Sequence, residues 1–161
     1  MSTVTSTELP VAKEVRDLFE GLLGKDCDLS DGQRLTGAGG LVGVYVDDQL
    51  ALRAVVAFDL AMAAYAGAAI GLMPPGGAQD AVDDKDLFPL LADNACEVLN
   101  VMAALFNVGT APHLRLYATH APTDALPADV AVPLAALGNR VDWTVAVKGY
   151  GKGQLSICLV P

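Results

Sequence analysis

This chain is short of positive charge. Ten Lys and Arg stand against nineteen Asp and Glu in 161 residues, a formal net charge of −9 at pH 7. Gripping a phosphate backbone takes clustered Lys and Arg, so nucleic acid is excluded as a partner. An acidic surface serves solubility instead, or a partner with a basic patch. Histidine is scarcer still, with two residues. His113 and His120 flank an expected strand, and no His, Cys or carboxylate stands beside either at a metal-ligand spacing, so the sequence offers no metal site. The three cysteines, Cys27, Cys96 and Cys158, form no Cys-x-x-Cys pair. Their odd number and apolar neighbours indicate reduced, buried thiols in a cytoplasmic protein. No Gly-x-Ser-x-Gly elbow supports hydrolase-type nucleophilic chemistry. The segment Thr36-Gly37-Ala38-Gly39-Gly40 lacks the third glycine of a dinucleotide loop, since Val42 stands there, and no Gly-Lys-Ser/Thr follows it. It also leads into an expected strand, so a phosphate would find no helix N-terminus, and these glycines read as a tight turn.

Export and membrane signals are missing as well. Met1 to Glu8 has neither a basic n-region nor an apolar h-region and is not a secretory signal. Ala54 to Met73 has the apolarity of a membrane span but carries Asp59. A charge at a bilayer centre costs at least ~2.5 kcal/mol, so the expectation is a strand running into a helix, with Asp59 as the helix cap and no membrane contact.

What the chain does have is apolar mass. Hydrophobic residues make up 53% of it, enough for one substantial core. A flexible N-terminal segment, 1–9, and a single domain, 10–161, are expected. Val11, Val15, Leu18, Phe19, Leu22 and Leu23 share one face of a helix over 10–24. A short strand is expected over Cys27 to Leu35. Leu41 to Val46 and Gln49 to Phe58 form a hairpin about an Asp47-Asp48 turn, whose charges are read as solvated. Leu60 to Leu72 is a small-residue helix, ended by Pro74-Pro75-Gly76-Gly77. Asp80, Asp83 and Asp84 then form an acidic loop. A second long helix starts near Phe88. His113 to Thr119 is a strand, 121–139 is irregular with at most one helical turn over Val130 to Leu137, and Val141 to Val147 and Gln154 to Val160 form a second hairpin. Helix, strand and hairpin thus occur twice, which implies an α+β fold of two pseudo-repeated halves, with long helices packed on a largely antiparallel sheet.

The second long helix carries the candidate site. Between Leu87 and Asn107 only Asp93, Asn94, Glu97, Asn100 and Asn107 interrupt an apolar run. At about 100° per residue, Asp93, Glu97, Asn100, Ala104 and Asn107 fall in a band roughly 80° wide. A carboxylate and a carboxamide one turn apart on such an edge can act on one bound molecule.

The pattern Asp93-x-x-x-Glu97-x-x-Asn100, with Pro122 beyond it, resembles the signature of the CheC/CheX/FliY phosphatases. The order of hairpin, alanine-rich helix, loop and motif helix is similar to a CheX-like domain over 10–160. The resemblance implies hydrolysis of the aspartyl phosphate of a CheY-type response regulator. Asn100 would orient the attacking water and Glu97 would pair with the partner's phosphate-contacting lysine. It further implies that Mg²⁺ belongs to the phosphorylated partner, that this chain needs no cofactor, and that the protein is a cytoplasmic homodimer. The first helix reads Glu14-Val15-Arg16-Asp17, with Asp where a second motif needs Asn, so one site is expected. Ala104 stands where a glycine often follows the motif, Pro122 lies one residue closer than the pattern sets, and 121–139 departs from it. A non-catalytic CheC-like interaction or dimerisation module is therefore the alternative reading, with a small-ligand-binding domain as the third.

Overall fold

The structure, a computed structural model, describes residues 6–161. The expected flexible segment lies outside the described residues as far as residue 5; beyond it, Leu9 packs against the core and Pro10 is buried.

The elements run α1 (Ala12–Leu23), β1 (Cys27–Asp31), β2 (Leu41–Val46), β3 (Leu52–Phe58), α2 (Leu60–Ile70), α3 (Pro75–Asp84), α4 (Pro89–Val101), a 3-10 helix (Met102–Leu105), β4 (Arg115–His120), α5 (Ala128–Ala135), β5 (Arg140–Val147) and β6 (Gly151–Leu159). All six strands join one antiparallel sheet in the order β1-β5-β6-β3-β2-β4. The repeat expected from the sequence is present, with an exchange. The lone strand of the first half, β1, pairs with the hairpin of the second, and the lone strand of the second, β4, pairs with the hairpin of the first. The two hairpins meet at β3 and β6, where Val56 lies opposite Ile157.

Helices α1, α2 and α4 cover one face of the sheet. Val15, Phe19, Met62, Ala66, Ala95 and Leu99 bury against Tyr45, Val56, Phe58, Leu155 and Ile157. On the other face, Val130 and Leu134 of α5 seat on Val42, Val44, Val55 and Ala57. With both faces covered, all six residues of β2 are buried, which is why that strand reads as an unbroken apolar run. Asp59 caps α2 as expected, accepting from the Met62 N–H at 2.8 Å; it also accepts from the Gln154 N–H at 2.9 Å and so ties α2 to β6. Helix α2 is built of small residues because α4 crosses it at backbone distance. A Cβ on Gly67 would stand 2.6 Å from the Leu91 carbonyl oxygen.

Several local expectations are corrected. The acidic stretch after Pro74 is a helix, α3. Pro75 occupies its first turn, where its missing N–H costs nothing, and Ala78 and Ala81 bury beside Ala64 and Ala68 of α2. Asp47 is not a solvated loop charge. It is buried and accepts from the Gln49 and Ala51 N–H groups at 2.9 and 3.0 Å and from Arg53 Nε at 2.9 Å, closing the hairpin from inside. The segment over 121–139 holds a full helix, α5, despite the internal Pro133, because Val130, Pro133 and Leu134 bury on the sheet. Strand β1 ends at Asp31 rather than Leu35, β4 starts at Arg115 rather than His113, and α2 ends at Ile70 rather than Leu72.

All three cysteines are free; Cys27 and Cys158 are buried and Cys96 is partly so. Among the described residues no single helix is long and apolar enough to cross a membrane. The pair Pro75–Asp84 and Pro89–Leu105 passes by length and composition, but it is bent by 103°.

Candidate functional site

Helix α4 presents the polar stripe. Pro89 sits in its first turn, and Leu91, Ala95, Val98 and Leu99 face the core. Asp93, Glu97 and Asn100 are exposed on the opposite side. The α-helix ends at Val101, however, and the tighter 3-10 segment takes over, so the regular spacing that unites the stripe applies to those three residues. Ala104 is exposed on the 3-10 segment. Asn107 lies past it and is used by the fold. Its Nδ2 donates to the Leu114 carbonyl at 3.0 Å and its Oδ1 accepts from the Leu114 N–H at 2.7 Å, fastening the chain just before β4.

The polar residues of this region therefore divide into two groups. Asn94 and Asn107 are committed to backbone partners, Asn94 through Nδ2 to the Gly67 carbonyl at 3.1 Å. Among the described residues, the side chains of Asp93, Glu97 and Asn100 make no hydrogen bond or ion pair. A free carboxylate and a free carboxamide three residues apart on a helix have Cβ atoms about 5–6 Å from each other, within reach of one docked group.

Pro122 lines a hollow with Gly39, Leu60, Val82 and Lys85. On α1, the residue in the corresponding position is engaged: Asp17 receives Lys13 at 2.6 Å and lies 3.7 Å from Arg16. The Lys13 hydrogen bond holds the Asp17 carboxyl below its usual range. His113 is exposed and His120 half-buried, and among the described residues no three His, Cys, Asp or Glu side chains are grouped as metal ligands. Desolvation pushes the Cys27 and Cys158 thiols up to about 11, which leaves neither as a ready thiolate.

One residue near the stripe escapes a sequence reading. Tyr45 of β2 is fully buried, and its hydroxyl donates to the Leu99 carbonyl at 2.5 Å, immediately before Asn100 in the chain. Its ring meets Phe106 with centroids 5.2 Å apart and planes tilted by 60°. Burial raises its phenol far above the usual range, so it remains a donor at any working pH. A tyrosine in a valine run is the available signal, since a buried hydroxyl needs a partner, but the partner's identity is tertiary.

No family profile matches the sequence, and no curated protein matches it. Solved structures match the fold. The FliM middle domain from Vibrio alginolyticus superposes with a TM-score of 0.57 at 9% identity, covering 93% of this chain and 88% of that one. FliM from Helicobacter pylori, in a FliM–SpeE complex, gives 0.58 at 8% identity, covering 92% and 80%. CheX from Borrelia burgdorferi, in a complex with CheY, BeF3 and Mg²⁺, gives 0.52 at 9% identity, covering 90% and 92%. At these identities the likeness is one of architecture, and it includes the α+β order and the antiparallel sheet that the sequence led us to expect. The chain has the fold shared by CheX and the FliM middle domain.

Proposed function

We propose that this protein hydrolyses the aspartyl phosphate of a receiver domain docked against α4. The observation that carries the reading is the division of polar side chains along that helix. Asn94 and Asn107 are used by the fold, whereas Glu97 and Asn100 are exposed, adjacent and unengaged. A carboxamide held that way accepts one water proton through Oδ1 and donates through Nδ2, with no shifted pKa required. The water oxygen attacks phosphorus, the bond from phosphorus to the aspartyl oxygen breaks, and the products are a free carboxylate and inorganic phosphate. An acyl phosphate is reactive already, so placing the water supplies much of what hydrolysis lacks. Glu97 offers the charge that a lysine beside the partner's phosphoryl group would seek, and Mg²⁺ would be held by that partner. The CheX–CheY complex supplies a precedent for this fold meeting a receiver domain. A receiver partner places the protein in the cytoplasm, and a homodimer is part of the same reading.

The FliM likeness favours a second reading, a docking module that binds without turnover. One experiment separates the two. Receiver domains phosphorylated with a small acyl phosphate are incubated with wild type and with Asn100→Ala. The phosphatase reading expects faster phosphate loss with wild type, reduced by about 100-fold in the variant. Binding with unchanged decay would establish the docking module instead.

A further inference from the structure

We infer that Tyr45 is a positioning residue for Asn100, a role that rests on the phosphatase reading for its function but not for its geometry. Asn100 lies at the last regular turn of α4, two residues before the 3-10 segment begins at Met102. The direction in which its carboxamide points is set by where that change of helix type falls. Leu99, its neighbour, is held from both ends. Its carbonyl accepts the Tyr45 hydroxyl, and its side chain enters a notch on β2 left open by Gly43, where an added Cβ would stand 3.2 Å from Leu99 Cδ1. Tyr45 then spans the 3-10 segment, from the Leu99 carbonyl on one side to the Phe106 ring on the other. Leu99 faces the core while Asn100, about 100° further round, faces solvent. Fixing one fixes the other.

The strands on either side of β2 change register at this tyrosine. Toward β4, Val44 pairs with Ala118 and Tyr45 with Leu116, leaving Tyr117 without a counterpart. Toward β3, Tyr45 pairs with Ala54 and Val46 with Leu52, leaving Arg53 without one. In each case the extra residue belongs to the neighbour, so the bulges lie on β4 and β3, on either side of Tyr45; bulges bend the strand that carries them and are common beside active sites. Two bulges flanking one tyrosine that reaches a helix carbonyl next to a free carboxamide form a brace running from the sheet to the solvent edge.

The test compares Tyr45→Phe with Tyr150→Phe. Tyr150 is the control: its hydroxyl makes the same kind of bond, to the Met73 carbonyl at 2.5 Å, between the β5–β6 turn and the loop joining α2 to α3. Turnover of a phosphorylated receiver and amide hydrogen exchange over 100–105 are measured for both. The expected result is a fall in kcat of about five- to tenfold for Tyr45→Phe with KM within twofold of wild type. Exchange over 100–105 should rise, and Tyr150→Phe should change neither. Equal kcat for Tyr45→Phe and wild type, or a matching loss in Tyr150→Phe, overturns the inference. If wild type itself shows no turnover, the phosphatase reading fails, and exchange decides the brace alone. A rise confined to 100–105 upholds the positioning, and no rise, or one spread through the chain, refutes it.

Discussion

Helices α1 and α4 open the two halves of one repeated plan, and they differ most on their wet faces. On α1, charge is settled within the helix: Lys13 meets Asp17 at 2.6 Å, and Glu14 accepts the Val11 N–H at 3.0 Å. On α4, Asp93, Glu97 and Asn100 are left without partners among the described residues. Both helices bury their backs, α1 through Val15 and Phe19 and α4 through Leu91 and Leu99. Helix α4 also crosses α2 at backbone distance, its Leu91 carbonyl against Gly67, while its front stays unengaged, the combination that a site on a rigid element needs.

The sharpest way to break that contrast after Asn100→Ala is to push α4 off its seat. Gly67→Ala should destabilise the protein by about 1–3 kcal/mol through overpacking against backbone, seen as a lower denaturation midpoint. It should also reduce turnover. Full activity and stability would mean that the close crossing is not needed. Next, Glu97→Ala should raise KM for the phosphorylated receiver about tenfold, ~1.4 kcal/mol of docking, with kcat little changed. Its stability should stay within about 0.5 kcal/mol of wild type, as befits an exposed side chain. The reverse contrast is expected on α1. Gly21→Ala should raise stability by about 0.5–1 kcal/mol, since the added methyl meets nothing and the helix gains propensity.

The smallest effect is one of pH. Hydrogen bonds from Arg53 hold the Asp47 carboxyl low, and the Lys13 hydrogen bond does the same for Asp17. Groups with depressed folded pKa values stabilise fully above the unfolded value, 3.8 here, and lose that contribution as pH falls through the folded one. Melting temperature should therefore drop on acidification below that value. Asp47→Asn should flatten the drop, and Asp17→Asn should flatten it less, because the Lys13–Asp17 pair is exposed and screened by salt. Melting curves between neutral pH and about pH 2, at low and high salt, read both.

Legibility followed the range of the interactions. The hairpins, the Asp59 cap and the solvent stripe on α4 are written in local periodicity, and the structure has them. Helix α3 was hidden because Pro75-Gly76-Gly77 reads as a breaker, and only the seat offered by Ala64 and Ala68 makes Ala78 and Ala81 a reason for a helix. Asp47 read as solvated because nothing local announces that Arg53 folds back on it. Asn94 and Asn107 could not be told from Asn100 in the sequence. The Asn94 partner, Gly67, comes from another helix, and Asn107 meets Leu114 only because the loop between them folds back.

By itself the sequence determined which residues form helices and strands in the long elements, that the plan occurs twice, and that one helix edge is polar. These follow from side-chain spacing against backbone geometry. Tertiary structure alone decided the exchange of β1 and β4 between halves, the 3-10 turn after Asn100 and the tyrosine beside it, and which polar groups stay free. Most of these depend on residues far apart in the chain finding one another, and a free carboxamide is defined only by partners that folding does not bring to it.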